Sequence, residues 1–325
     1  MVAEYCVGVD LGGTNLKAGL LDRDANVLCH FSVPAGIEEG REHVISQMVG
    51  AVARAIDQAG VPRASVIGIG IGSPGPLSHK RGLIINPGNL PCMKDTPIRE
   101  ILRERTGIRT TLDNDANAAA WGEFWAGAGK DIRDMVMFTL GTGVGGGAIV
   151  DGKLLRGAFE GGAELGHIIV QPGGRRCSCG QLGCLEAYAS AYYLAERTTE
   201  EIRAGHASSL KAMVDRGKTI RSEHVERAAQ EGDALAKRMW DDACRYLAQA
   251  CVIMQHTTNP QRVVFAGGMI NAGDFLLEPI RRSAKEMAWH LVDDGPEIMF
   301  ATLGDTAGFI GAAGCAWEAH ETGDW

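Results

Sequence analysis

The chain reads as an α/β protein of two domains, and three features of its 325 residues lead there. Short apolar runs ending in glycine turns alternate with longer stretches of helical periodicity, the pattern of strands and helices packed in layers. One strand–turn–strand unit occurs twice at a constant offset, which carries Leu11 onto Leu140 and Asp22 onto Asp151 without a gap. The length itself leaves room for about two domains, each with its own core.

With 45% hydrophobic and 22% charged residues, the composition is that of an ordinary globular protein. A net charge of −8 and the lack of any basic stripe exclude nucleic acid as the expected partner. The opening MVAEYCVGVD has no cationic region and reaches Glu4, so no signal peptide is expected. Met135 to Val150, the longest uncharged run worth testing, is short and glycine-filled for a membrane span. A cytoplasmic protein that makes no membrane contact is expected. Of nine cysteines, Cys6, Cys29, Cys92, Cys244, Cys251 and Cys315 are scattered and read as reduced, small apolar side chains.

Taken in order, Cys6 to Asp10 is an apolar strand that ends in Asp10-Leu11-Gly12-Gly13-Thr14-Asn15, and Leu16 to Leu21 resumes a strand. Adjacent glycines let backbone amides approach phosphate oxygens, Thr14 adds a hydroxyl and Lys17 a cation, and Asp10 is placed to serve Mg²⁺ directly or through water. A plain hairpin turn would explain this stretch equally well. Its recurrence changes the reading: Met135 to Thr139 leads into Leu140-Gly141-Thr142-Gly143, and Ala148 to Asp151 closes the unit. Two facing domains, each offering a glycine turn to one triphosphate, would account for the repeat.

Between the repeats, Arg41 to Gly60 has Val44, Ile45, Met48, Val52 and Ile56 on one helical face. Val66 to Ile71 is a buried strand leading into Gly72-Ser73-Pro74-Gly75-Pro76, and turns at strand ends are where ligands sit in α/β folds. In the loop Asn86-Pro87-Gly88-Asn89-Leu90 the amides suit sugar hydroxyls, although Asn86 reads as an ordinary turn residue. Thr110 to Leu112 is a strand ending in Asp113-Asn114-Asp115, followed by a helix from Ala116 to Ala128. Asp113 or Asp115 is expected to cap that helix, which leaves the other free as a general base.

The stretch Gly161 to Glu186 carries the strongest chemical pattern. His167, Cys177, Cys179 and Cys184 form the three-thiolate, one-imidazole set that a structural Zn²⁺ accepts, and sulfur ligands argue against Mg²⁺ or Ca²⁺. Gly173, Gly174, Gly180 and Gly183 would let the loop fold back so that the sulfurs converge. Glu164 and Glu186 flank the ligands and are better placed to hydrogen-bond something beside the ion. Downstream, Leu185 to Thr198, Ser208 to Val214, Ser222 to Glu231 and Asp233 to Thr257 read as helices. Arg262 to Ala266 is a strand that leads to a third glycine turn, Gly267-Gly268-Met269. A last helix, Thr306 to His320, is expected to return to the first domain.

Together DLGGTN, LDNDANAAA, LGTGVGGG, GGAELGH, CSCGQLGCLEAYAS and AGGM span essentially the whole chain, and they resemble the ROK family of bacterial sugar kinases, its glucokinases most. The resemblance implies the actin-like ATPase, ribonuclease-H-like fold, two α/β domains around a cleft. The smaller would be residues 1–117 with 306–325 and the larger 118–305 with the zinc loop. It implies ATP-dependent phosphorylation of glucose at its 6-hydroxyl, with mannose, fructose, N-acetylmannosamine or N-acetylglucosamine as alternative acceptors. Asp115 would be the base. Gly75, Asn89, Asn114, Glu164, His167 and Glu186 would bind the sugar, and Gly12, Gly13, Thr14, Thr142 and Gly143 the phosphates. Gly267 and Gly268 would pass near adenosine, and Asp10 would serve Mg²⁺. His167 would join zinc to the sugar. A homodimer or homotetramer is also implied. After Asn89-Leu90-Pro91 this chain has Cys92-Met93 where such glucokinases usually have Gly-Trp, a departure beside the expected sugar. A sugar-responsive repressor is disfavoured, because Asp10 comes too early for a preceding DNA-binding domain.

Overall fold

The first glycine turn closes a hairpin in the computed structural model, which describes residues 4–289 and 295–325. β1 (Tyr5–Leu11) pairs antiparallel with β2 (Asn15–Leu21), and β2 with β3 (Val27–Pro34). Helix α1 (Arg41–Ala59) leads to β4 (Val66–Ser73), then to a small hairpin of β5 (Leu77–Ser78) and β6 (Leu83–Ile84). Helix α2 (Ile98–Thr106), β7 (Thr110–Asn114) and helix α3 (Asp115–Ala126) complete this run. The sheet order is β3-β2-β1-β4-β7, with β4 parallel to both β1 and β7.

Strand periodicity decides which side chains face which layer. Val7, Val9 and Leu11 join one core with Val44, Ile45, Met48, Val52 and Ile56 of α1, while Cys6 packs with Phe309 and Ile310 on the other face. That second face is covered by the C-terminal helix (Ala307–Thr322), backbone against backbone. A Cβ on Gly70 would fall inside the carbonyl of Ala312, and one on Gly311 inside that of Ala118 in α3. Side chains at these two positions would force the helix off its partners.

The second sheet has the order β10-β9-β8-β11-β12, from β8 (Met135–Leu140), β9 (Val144–Val150), β10 (Lys153–Leu154), β11 (Arg262–Ala266) and β12 (Glu297–Phe300). The sequence offset that carries Leu11 onto Leu140 also carries β2, Asn15–Leu21, onto β9, Val144–Val150. The repeat is therefore one of strand boundaries and strand order as well as of residues. Helices α4 (Glu186–Ala189), α5 (Ala191–Arg203), α6 (Lys211–Asp215), α7 (Ser222–Gln230), α8 (Ala234–Thr257) and α9 (Asp274–Met287) fill the interval before and after β11. The helical run expected from Leu185 breaks at Ser190, whose hydroxyl accepts from Tyr193 N and caps α5. Asp233 does the same for α8 through Ala236 N, at 2.9 Å.

The chain divides into two compact units, Met1–Ile132 with Gly147–Gly162 and Thr302–Trp325, and Arg133–Gly146 with Ala163–Ala301. This differs from an expected boundary at 117/118, and the first unit is the larger. The physical reason lies in α3. Besides its contact with Gly311, it carries the fully buried Glu123, whose carboxylate accepts from Ala128 N (2.9 Å), Thr302 N (3.0 Å) and Leu303 N (2.7 Å). Those bonds keep α3 and residues 127–132 with the C-terminal segment. Among the described residues β3, α2, α9 and β12, together with the two-residue strands β5, β6 and β10, have no counterpart among the expected elements. β3 is a largely exposed edge strand that ends at Pro34, and α9 contains Pro279, which reads as a breaker. Among the described residues no helix is long and apolar enough to cross a membrane.

Candidate functional site

In the first unit the candidate residues gather at the carboxyl ends of parallel strands. Register places Asp10 of β1 beside Gly72 of β4, and Gly72 beside Asp113 of β7. Because Gly72 has no side chain, an added Cβ would stand 3.7 Å from the Asp115 Cα and 3.9 Å from Asp10 Oδ1, so both carboxylate residues border it. The glycine turn is closed by Gly12 N donating to Asn15 O at 2.9 Å. A Cβ on Gly13 would lie 3.3 Å from the carbonyl oxygen of Asn89, which brings that loop against the turn. Gly75, whose peptide bond to Pro76 is cis, sits near the Asn114 side-chain nitrogen.

The Asp-Asn-Asp junction is divided differently from the expectation that an aspartate caps the helix. Asn114 is the cap, its Oδ1 accepting from Ala116 N (2.9 Å) and Asn117 N (3.3 Å). Its Nδ2 is the donor end of the same amide and serves the Asp115 carboxylate. Asp113 is buried and ion-paired with Arg156, Nε to Oδ2 2.7 Å. Asp115 is the first residue of α3, where an acidic side chain suits the helix dipole. Burial pushes its carboxyl above the usual range, although the amide of Ala116 pulls the other way. Asp10 is pushed up to about 6 by burial and then by the negative charge of Asp115, with Lys17 opposing. A carboxylate whose ionisation is disfavoured by a neighbouring acid is a ready place for a cation.

In the second unit, Gly141 to Gly143 follows β8 and Gly267 to Ala272 follows β11, side by side because β8 and β11 are parallel. Gly267 has φ 91, and a Cβ there would strike the Leu140 backbone. From Thr142 a cavity of about 520 Å³ runs across α5 to the segment before α7, lined by Tyr192, Thr199, Lys218 and Arg221 among others. The glycine at position 143 leaves room for Glu186, whose Oε2 takes the space of a Cβ there and accepts from Val144 N at 3.0 Å.

The Cys-rich stretch folds back on itself through bridges Ile169↔Cys184 and Arg176↔Leu182, with Gly180 (φ 94) and Gly183 (φ 88) at the bends. His167, Cys177, Cys179 and Cys184 bring one ligand atom each within 4.8 Å of one another. The Cys179–Cys184 sulfurs are 3.7 Å apart, as are Cys177 Sγ and His167 Nδ1. A disulfide would need about 2.05 Å. Zinc–sulfur bonds of about 2.3 Å in a tetrahedron give an edge of about 3.8 Å, so the set fits that ion. Burial and then the neighbouring thiols push Cys184 up to about 12, a crowding of sulfurs that a bound cation would relieve. Beside them, Glu186 Oε1 accepts from Ser178 Oγ at 2.8 Å. Glu164 is exposed at the start of the turn that carries His167.

Compared with known proteins, the chain matches the ROK family over residues 6–319. This chain belongs to the ROK family. A glucokinase of Halalkalibacterium halodurans is 36% identical over 96% of this chain and 94% of its own length. Among solved structures, the ROK hexokinase from Thermus thermophilus aligns with a TM-score of 0.85 at 35% identity, covering 98% of this chain and 99% of that one. A ROK glucokinase from Streptomyces griseus, solved with glucose and AMPPNP, gives 0.76 at 33% identity over 97% and 99% of the two chains. The ROK fold here is the actin-like ATPase fold, with a related five-stranded sheet in each unit.

Each unit of this ROK chain thus brings its own candidates together. Asp10, Gly12, Gly13, Thr14, Gly75, Asn89, Asn114 and Asp115 belong to the first, and Thr142, Gly143, Glu164, His167, Glu186, Gly267 and Gly268 to the second. Arg156 and Ser178 were not among the expected site residues. A lone arginine in a glycine-rich, apolar stretch was the available signal for the first, whereas Ser178 is an unremarked residue between two candidate ligands.

Proposed function

We propose that this ROK chain is an ATP-dependent hexose kinase that phosphorylates glucose at its 6-hydroxyl. The observation that carries the reading is Asp115, a carboxylate at the end of β7 whose proton affinity is raised by burial, set beside a glycine turn and a second acid. The 36% identity to a glucokinase supports the acceptor.

In this reading Asp115 takes the proton of the 6-hydroxyl as the O6–Pγ bond forms and the bond from Pγ to the leaving diphosphate breaks. Asn89, Asn114, Glu164, His167 and Glu186 bind sugar hydroxyls, and Gly75 lines the pocket by its backbone. Gly12, Gly13, Thr14, Thr142 and Gly143 offer amides and hydroxyls to phosphate oxygens, since phosphoryl transfer needs alignment and charge stabilisation more than covalent help. The cavity that opens from Thr142 has room for the donor's nucleoside, with Gly267 and Gly268 passing near it. Asp10 would hold Mg²⁺, which when bound neutralises charge on the phosphates. His167, Cys177, Cys179 and Cys184 would hold a structural Zn²⁺. The zinc set would fix the His167 ring, leaving its other nitrogen for the sugar.

The Pro91–Met93 turn buries Met93 in the core and is tied to Arg41, which donates to Cys92 O at 3.1 Å. Its departure from the usual Gly-Trp makes acceptor choice the point to measure. Initial rates for glucose, mannose, fructose and the two N-acetylhexosamines, crossed with ATP, ADP and polyphosphate, test both halves. Glucose with ATP is expected to lead, and a strong preference for another pair would overturn that assignment. Light scattering would read the proposed homodimer or homotetramer.

A further inference from the structure

Arg156 stands outside every role assigned so far, yet its guanidinium reaches the least exposed acid of the junction. Asp113, 2% exposed, uses its two oxygens for different purposes. Oδ1 accepts from Asn114 N at 2.9 Å and from Asn117 Nδ2 at 3.1 Å, so it grips the chain just before and just after Asp115. Oδ2 is held by Arg156 Nε at 2.7 Å, with His79 Nδ1 at 3.6 Å. The His79 nitrogen is nearer to the Leu112 carbonyl, 2.7 Å away, which makes it a donor to backbone first. Arg156 is therefore the main partner of Oδ2. Its Nη2 is steadied in turn by Glu318 of the C-terminal helix at 3.3 Å.

The loop that carries Arg156 is itself fastened. Gly162 N donates to Arg156 O at 2.9 Å and closes the loop on itself. Glu160 accepts from Ser78 Oγ at 2.7 Å and from Lys80 N at 2.6 Å. A carboxylate buried without its cation would either move toward water, which releases Asn114 and Asn117, or take up a proton, which weakens Oδ1 as their acceptor.

We propose that Arg156 is a positioning residue for the acceptor-side base, acting through Asp113 to fix the direction in which Asp115 leaves β7. This rests on the reading of Asp115 as that base. The fork geometry matters, because Nε serves Asp113 while Nη2 serves Glu318, and a lysine ammonium cannot reproduce both at once.

The test compares steady-state sugar phosphorylation by the wild-type protein, Arg156→Gln, Arg156→Lys and the double variant Asp113→Asn/Arg156→Gln. Arg156→Gln is expected to lower kcat about thirtyfold while the sugar KM moves less than about threefold, as a misaligned base does. Arg156→Lys should recover only part of the loss. If Arg156→Gln proves unfolded, the double variant decides, since it leaves no unpaired charge. It is expected to fold and to keep a low kcat. The proposal is overturned if Arg156→Gln stays within twofold of wild type, or if the double variant regains wild-type kcat, which would reduce Arg156 to a neutralising charge. A loss confined to the sugar KM would overturn it as well. A wild-type protein without turnover on any sugar overturns the kinase reading and this proposal with it, whereas active variants beside an active wild type overturn this proposal alone.

Discussion

Set the two glycine turns side by side and their frames coincide while their chemistry does not. The offset that superimposes β2 on β9 pairs Asp10 with Thr139, Gly13 with Thr142 and Lys17 with Gly146. The first turn thus has an acid and a cation on its own strands, the cation also reaching Asp305 at 3.2 Å. The second has neither, and its carboxylate comes from Glu186, far along the chain and beside the proposed metal ligands. The duplicated backbone supplies amides in both units, but charge is supplied locally in one and borrowed in the other. A borrowed group ties the second turn to whatever shapes the Cys-rich loop.

The largest expected effect lies on the first side. Asp115→Asn should cut kcat by about a thousandfold while sugar still binds in calorimetry, and more than a few per cent of residual turnover would end its role as the base. Next comes the acid that the second turn lacks. Asp10 binds its proton more tightly folded than unfolded, its value having risen from 3.8 to about 6. Its contribution to stability is therefore greatest at low pH and declines as the pH rises through that interval. Asp10→Asn should make the metal-free protein more stable than wild type, by roughly 3 kcal/mol once the pH exceeds 6. Urea melts at several pH values would show it, and a gain that does not grow with pH would refute the cause. Turnover should fall in the same variant if Asp10 holds Mg²⁺.

The borrowed carboxylate allows a smaller, sharper comparison. Gly143→Ala displaces Glu186 from Val144 N, and losing a charge-assisted hydrogen bond should raise the KM values for both sugar and ATP by about tenfold. Stability should hardly change, because the obstructing atom is the end of a flexible side chain. Removing the metal with a chelator should also raise the sugar KM by about tenfold, with the ATP KM affected less. An unchanged sugar KM in the stripped protein would reduce the loop to a structural clip. At the matched hairpin, Gly13→Ala meets Asn89 alone, its carbonyl oxygen at 3.3 Å and its side chain at 3.5 Å, and both constants should stay within about threefold. If Gly13→Ala and Gly143→Ala behaved alike, the contrast between local and borrowed charge would fail.

What could be read from residues alone follows from where the information is local. Strand ends, glycine turns and the Cys–His set are written in neighbouring residues, and the constant offset made the repeat visible before any coordinates. The division of labour in Asp113-Asn114-Asp115 was not legible, because the choice of cap depends on which oxygen meets Arg156, more than forty positions away in the sequence. The position of α3 was missed for the same reason. Nothing in its own residues announces that Ala118 and Gly122 press on a helix beginning at Ala307. Pro279 shows the opposite case, a local signal overruled by packing, since Leu276, Leu277 and Ile280 around it are buried.

The seam between the C-terminal helix and the first sheet also bears on the order of assembly. Gly8 and Gly70 are shaped for carbonyls at Phe309 and Ala312, which leave the ribosome long after the strands do. Until that helix arrives, one face of β1 and β4 stays bare, and the first unit cannot close although most of its residues already exist. The helix that begins at Ala307 thus completes a layer begun by strands far upstream of it, so nascent chains halted before Ala307 should be bound by chaperones, and chains that include this helix should not.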